Sequence, residues 1–370
     1  MKKNLILVTL ISGILITSLT ACSGCNKKEE KTTETQEILE IPTESQTEVE
    51  ETREGMLKSF FTGQWIDEKV AMQRPVAIMT ENTNQCMPHY GLNRADVVYE
   101  CPAEGGYTRF MAIYQDYKNE KKLGNIRSCR HYFCFYAKEF DAFYIHAGKS
   151  PKGEKLLKKG YIDHIDGSTG DGKYYYRDNS RKAPHNLYIS SEQIDQAMKD
   201  KKYDTTLKAD YQPHYQFADE KEPVTLDDGI DAKVVSLYFF TSKPNYIYNE
   251  EDGLYYRSEF GQKEMDGIDN TQLCTKNIII QNTSVEVLDD IGRVEVGVKG
   301  EGTGYYITNG KCIEITWKKE LQKSGITHYY DKEGKEITIN PGRTWVEICD
   351  KQHADKNKFY SSVEDFKAAK

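Results

Sequence analysis

"KLGNIRSCRHYFCFYAKEFDAFYIHAGKSPKGEKLLKKG", residues 122–160, decides the fold class of this chain. Up to Ile126 the segment reads as a strand. A helix is predicted from about Cys129 to Phe140, with Ser128 as its N-cap. Tyr132, Phe133, Tyr136 and Phe140 recur at helical spacing and give it a buried face. "AFYIHAG" (142–148) reads as a second strand. Ser150 and Pro151 then open another helix as N-cap and first residue, and Gly160 stops it. Strand, helix, strand, helix is the unit of a parallel pair with a right-handed crossover. In such units strand ends and helix starts share one sheet edge, where ligands collect and backbone N–H groups favour anions. Arg127, Ser128 and Arg130 are therefore expected beside His146, Gly148, Lys149 and Ser150.

Upstream, "RPVAIMTE" (74–81), "ADVVYECPA" (95–103) and "TRFMAIYQD" (108–116) read as further strands. From residue 232 onward strands dominate. Asn309-Gly310 is the strongest hairpin signal, and Asp252-Gly253 and Glu333-Gly334 mark others. The expected fold is α/β (α+β) over 61–215, with a partly parallel sheet and crossover helices. A connector (216–231), a mainly antiparallel β domain (232–350) and a C-terminal tail (351–370) follow.

The first 22 residues combine Lys2 and Lys3, an apolar run and Leu19-Thr20-Ala21-Cys22. That is a secretory signal ending in a lipobox, after which Cys22 becomes the lipidated first residue. Residues 23–60 are rich in Glu, Thr, Gln and Lys, a composition that cannot offset its ordering entropy, so they read as an acidic spacer. The chain is thus expected on the extracytoplasmic face of the cell membrane, held to the bilayer through acylated Cys22. Net charge is −8, much of it in the spacer, which argues against a nucleic-acid partner. The 26 tyrosines exceed what a core alone would need and suit a binding surface. Of nine cysteines, those beyond the anchor region form no CxxC pair and read as buried free thiols. No metal-ligand spacing occurs, and no cofactor is expected.

Four polar clusters stand out. Glu104 and Arg109 in "PAEGGYTRF" suit a general base and an anion clamp, or a tight turn carrying an exposed ion pair. Arg127 and Arg130 flank a predicted helix start, against the helix dipole, and so call for a negative partner. His146 ends a strand close to Gly148-Lys149-Ser150; the spacing of a phosphate loop is not met, and His146 reads either as a site histidine or as a satisfied core histidine. "RDNSRKAPHNLYIS" (177–190) gathers Arg177, Arg181, His185 and Asn186, enough planar donors to form one wall of an anion site, or else a solvated loop. Its wall role requires Arg181 and His185 to converge with the helix starts at Ser128 and Ser150. Cys129 between two arginines is a minor nucleophile candidate.

"RPVAIMTEN", "GLNRADVVYECPAEGGYTRFMAIYQ", "GNIRSCRHYF", "DAFYIHAGKSP", "YYRDNSRKAPHNLY" and, later, "GTGYYITNGKCIEITWKK" and "NPGRTWVEI" together resemble the YerB-like lipoprotein family (DUF3048), over about 73–349. The resemblance implies the two-part fold, the anchor and the spacer, and no activity. Mapped onto this chain, its polar motif members are Asn82, Asp96, Glu104, Arg109, Arg127, Arg130, His146, Arg181, His185 and Asn186. Cys129 departs from the small residue, such as alanine, that the resemblance leads one to expect.

Two functions follow. In one, Asn82, Arg109, Arg127, Ser128, Arg130, Ser150, Arg181 and Asn186 bind an anionic cell-envelope ligand or partner. In the other, an envelope-acting hydrolase or transferase uses Glu104 with His146 or His185 as acid and base.

Overall fold

A computed structural model describes residues 52–320 and 325–369. The signal segment, Cys22 and most of the expected spacer lie outside the described residues.

The three upstream strands form as their β-branched and aromatic content demands: β1 (Val76–Asn82), β2 (Val97–Pro102) and β3 (Thr108–Tyr114). Helix α1 spans His131–Glu139, two residues shorter at its start than the sequence suggests, and Ser128 does not cap it. The reason is tertiary. Cys129 is held extended by a bridge to Lys149, donating N–H to the Gly148 carbonyl at 2.9 Å and accepting from Ser150 N at 3.1 Å. Arg130 becomes the N-cap, with no side-chain cap bond. Tyr132, Phe133, Tyr136 and Phe140 are fully buried as expected, but so is nearly every other residue of the helix.

Strand β4 (Phe143–His146), helix α2 (Pro151–Lys158) and strand β5 (His164–Asp166) follow. Ser150 caps α2 with its side chain, accepting from Gly153 N. The parallel crossover therefore runs β4–α2–β5, one unit later than predicted. Of the stretch expected as a strand through Ile126, Leu123–Gly124 pairs in a small separate sheet and Ile126 makes a single bridge to Thr80, and β4 instead lies parallel to β1. "DHIDG" was missed as a strand because it spans only three residues.

The later part is strand-rich. It includes β6 (Asn245–Asn249), β7 (Leu254–Glu259), β8 (Asn277–Thr283), β9 (Val285–Val287), β10 (Val294–Val296), β11 (Gly300–Thr308), β12 (Lys311–Lys319), β13 (Thr327–Tyr330) and β14 (Thr344–Asp350). Asn309 and Gly310, at φ 51° and 75°, make the β11–β12 turn that their dipeptide predicts.

The expected boundary at 216–231 does not interrupt the main sheet. Among the described residues, one eleven-stranded sheet contains β12-β11-β8-β14-β2-β3-β1-β4-β5 in spatial order. Its joint is the parallel pair β14–β2, with Trp345 opposite Val98 and Glu347 opposite Glu100. Residues 351–369 also carry structure: Lys358–Tyr360 pairs with Val234–Ser236, and Val363–Ala368 is helical. Apolar residues fill both faces of the sheet. Many tyrosines belong to that core, among them Tyr99, Tyr132, Tyr136, Tyr144, Tyr246, Tyr255 and Tyr306, all fully buried.

Candidate functional site at the joint of the two halves

The predicted edge exists. Arg127 accepts from Ala147 N at 3.0 Å, and Cys129 and Ser150 interlock as described, so Arg127, Ser128 and Arg130 do lie beside 146–150. Gly148 has φ 84°, and a Cβ there would come 2.8 Å from the Ser128 hydroxyl, so only glycine lets these segments meet.

The charges on this edge largely satisfy one another. Glu104 takes Arg130 on one oxygen and Arg109 on the other, the latter at 3.2 Å. Burial alone would raise the Glu104 carboxyl; the Arg130 hydrogen bond and both guanidinium charges hold it below its usual range. Arg109 also donates to the Ser128 carbonyl at 3.0 Å, and burial followed by its neighbour Arg130 lowers it to about 10. Glu81 takes His185 at 2.8 Å and Arg127 at 3.5 Å.

His146 is a core residue. Its Nδ1 must donate to the Gly148 carbonyl at 2.9 Å, so Nε2 accepts from His164 Nδ1 at 3.1 Å. Burial brings its pKa down to about 4, which leaves the ring neutral at pH 7. Asp166 below it accepts from Gly148 N, Lys149 Nζ and both Ser168 donors.

The "RDNSRKAPHNLYIS" segment divides. His185 reaches the edge through Glu81, whereas Arg181 donates to the Cys86 and Pro88 carbonyls at 2.6 and 2.9 Å and covers the Tyr90 ring. Asn186 accepts from Arg177 at 2.6 Å and donates to Asp178 and Arg181 carbonyls. Arg181 and Asn186 therefore shape the loop. Asn82 is interior, donating to Glu100, Thr108 and Glu259. Cys129 is fully buried and faces Cys134, so it offers no accessible nucleophile.

Asn82 belongs to a charged node that sequence reasoning missed. Arg257 is wholly buried, with Glu100 at 2.6 Å, Glu259 at 2.8 Å and Glu264 in direct contact. Its Nε donates to the Tyr246 hydroxyl at 3.1 Å, and its guanidinium lies 5.1 Å from the Phe110 ring and 5.0 Å from Trp345. Tyr246 in turn donates to Glu347. Arg257, with the His89 ring 2.9 Å from Glu264, faces four buried carboxylates, and negative charge stays in excess, so protons must stay: burial raises Glu100 well up and Glu347 to about 7. The signal was present in β7, where Tyr255, Arg257 and Glu259 share the inward positions of an alternating strand.

Because the folded pKa of Glu347 exceeds its usual 4.5, its contribution to stability is complete below about pH 4.5 and is lost as pH rises through about 7. A shift of that size is worth about 3 kcal/mol. The stability of Glu347→Gln relative to the unsubstituted chain is expected to rise by about that amount between pH 4.5 and 8, measured by urea denaturation. An unchanged difference across that range would refute the assignment.

Two concavities open at the surface near this joint. A groove of about 320 Å³ is lined by Pro102, Gly106, Phe239, Phe240, Val287 and Val294, among others. Thr241 N and Oγ1 both donate to the Gly106 carbonyl, and a Cβ at Gly106 (φ 77°) would come 2.6 Å from the Phe240 ring. Nine large apolar side chains are exposed among the described residues; of these, Phe240 and Val287 line this groove. A cleft of about 260 Å³ adjoins it at Val294, lined by Arg130, His131, Ser150, Lys152, Asp289 and Arg293. The starts of α1 and α2 both border the cleft. His131 and Lys152 share Glu295, and Arg293 pairs with Asp289 at 3.1 Å. The β9–β10 hairpin contributes to both openings.

Residues 61–204 match the family model "Protein of unknown function (DUF3048) N-terminal domain", and 235–346 match its C-terminal domain. "Putative lipoprotein YerB" of Bacillus subtilis (strain 168) is 33% identical over 298 residues, covering 79% of this chain and 86% of that protein. The chain belongs to the YerB family. The crystal structure of YerB from Bacillus subtilis superimposes with a TM-score of 0.72 at 30% identity, covering 82% of this chain and 99% of that one. The mixed sheet of the first half and the antiparallel strands of the second are thus the YerB fold. The likeness also points to a membrane-anchored lipoprotein. Among the described residues no helix is long and apolar enough to cross a membrane.

Proposed function

We propose that this YerB relative is an extracytoplasmic binding lipoprotein, anchored through Cys22, whose binding face is the groove and cleft at the joint. Its ligand is an envelope-derived molecule that combines an apolar body with an anionic group. The observation that carries this reading is the apolar groove, lined by the exposed Phe240 and Val287 and adjoining a cleft lined by Arg130, Lys152 and Arg293. Contiguous exposed apolar surface of this kind marks interaction sites. Of the residues singled out from sequence, Arg130 and Ser150 line the cleft, and Glu104, shared with Arg109, holds Arg130 from behind.

The hydrolase reading has less support. Glu104 is committed to two arginines, His146 to Gly148 and His164, and His185 to Glu81.

The probe 1-anilinonaphthalene-8-sulfonate carries both an aromatic body and an anion, and its fluorescence reports binding to apolar surface. The folded chain is expected to bind it at the groove. Val287→Asp, at a position 72% exposed, should weaken that binding about tenfold, or about 1.4 kcal/mol, with unfolding unchanged. Undiminished affinity in this variant would overturn the proposed face.

A further inference from the structure

Cys129 and Cys134 lie with their sulfurs 3.4 Å apart, and both are fully buried. Their positions explain the meeting. Arg130 is the N-cap of α1, so Cys129 immediately precedes the cap and Cys134 is the fourth helical residue. Side chains at those two positions commonly pack together and fix the angle at which the chain enters a helix. Here that apolar staple consists of two thiols. The extended backbone at Cys129, pinned by Gly148 and Ser150, aims its sulfur down onto the first turn. Gly153 leaves the space beside it: a Cβ there would come within 3.1 Å of the Cys129 sulfur.

We infer that Cys129 and Cys134 form an intramolecular disulfide when the chain folds under oxidising conditions. A disulfide needs the sulfurs at about 2.05 Å, so they must close by about 1.4 Å, within reach of side-chain rotation about Cα–Cβ at each residue. The reaction is thiol–disulfide exchange with a small or protein disulfide. One cysteine thiolate attacks the oxidant's disulfide and releases one thiol. The second cysteine then displaces the other half, forming the internal bond. Two electrons and two protons pass to the oxidant, which leaves as two thiols. The hydrogen bond from Cys129, followed by burial, pushes the Cys134 thiol well up, so exchange belongs to folding rather than to the closed native state.

The bond would tie off the loop that carries Arg130 and His131 and so fix one wall of the cleft. Its occurrence in the cell rests on the extracytoplasmic reading, because such bonds persist in oxidising compartments. The chemistry itself does not rest on it.

The test is refolding of the urea-unfolded full chain in oxidised and reduced glutathione, then alkylation of remaining thiols and tryptic digestion. Cleavage after Arg127, Arg130 and Lys138 separates Ser128–Arg130 from His131–Lys138. The expected result is these two peptides joined by a bond that dithiothreitol breaks, absent in Cys134→Ser. Unlinked, fully alkylated peptides from refolded, probe-binding protein would overturn the pairing and leave the binding face standing. Linked peptides from protein that binds no probe would uphold the pairing and count against the face alone.

Discussion

Arg257→Met is expected to destabilise the folded chain by about 3–5 kcal/mol at pH 7, because it strips the guanidinium from a sealed cluster of carboxylates in which the His89 ring faces Glu264 alone. Glu100, Glu259 and Glu264 all contact this guanidinium, and none of the four side chains is exposed by more than 1%. Methionine fills comparable volume and preserves the packing on Phe110 and Trp345, so the loss reports charge rather than a cavity. The deficit should shrink as pH falls toward about 4.5, where the carboxylates of the unfolded chain also take up protons and the folded state no longer binds more of them. Lysine is not expected to rescue the site, since a point charge cannot serve the planar set of Glu100, Glu259 and Tyr246. Urea denaturation at pH 7 and pH 4.5 checks both points. A loss under about 1 kcal/mol at pH 7 would refute this account of the node.

Lys319→Met should act by the same physics at a second place. Lys319 is buried against Glu139, the last residue of α1, which also accepts from Thr327 N at 2.8 Å and Thr327 Oγ1 at 3.2 Å. Burial raises the Glu139 carboxyl, and the Lys319 ammonium is the main opposing influence. Removing it is expected to cost about 3–5 kcal/mol. Adding Glu139→Gln to Lys319→Met should recover a good part of that loss, because the amide leaves no unpaired charge and can still accept from Thr327. A double variant no more stable than the single one would contradict the ion-pair explanation.

Both contacts cross between the two family segments. Glu100 and Glu139 come from the first, Arg257 and Lys319 from the second. With the parallel β14–β2 joint, they knit the segments into one body.

Much of the local structure was legible in the sequence. Short runs of β-branched and aromatic residues gave β1, β2 and β3 nearly to the residue, Ser150-Pro151 gave the start of α2, and Asn309-Gly310 gave its hairpin. These signals are local, so tertiary context had little to override. The start of α1 was misjudged because Ser128 looks like a cap while Cys129 is claimed by the Lys149 bridge, a contact twenty residues away. The polar clusters were found, and the backbone of 127–129 does run beside 147–150. What sequence could not reveal was how far their charges cancel, since Glu81 and Glu104 reach them from other strands. The groove had no signature at all: it is assembled from residues 102–108, 238–240, 285–294 and 350–353, stretches far apart in the sequence.

The most direct test of the central claim, that the joint is built by two segments folding as one, is equilibrium urea unfolding watched by two signals. In a Trp65→Phe background, which removes the tryptophan of the first segment, Trp317 and Trp345 are buried in the second segment and report its core by fluorescence, whereas α1 and α2 lie in the first and contribute to far-UV circular dichroism. Coincident transitions are predicted, shifting together in Arg257→Met. Two separated transitions, with helical signal outlasting the tryptophan signal or the reverse, would contradict it.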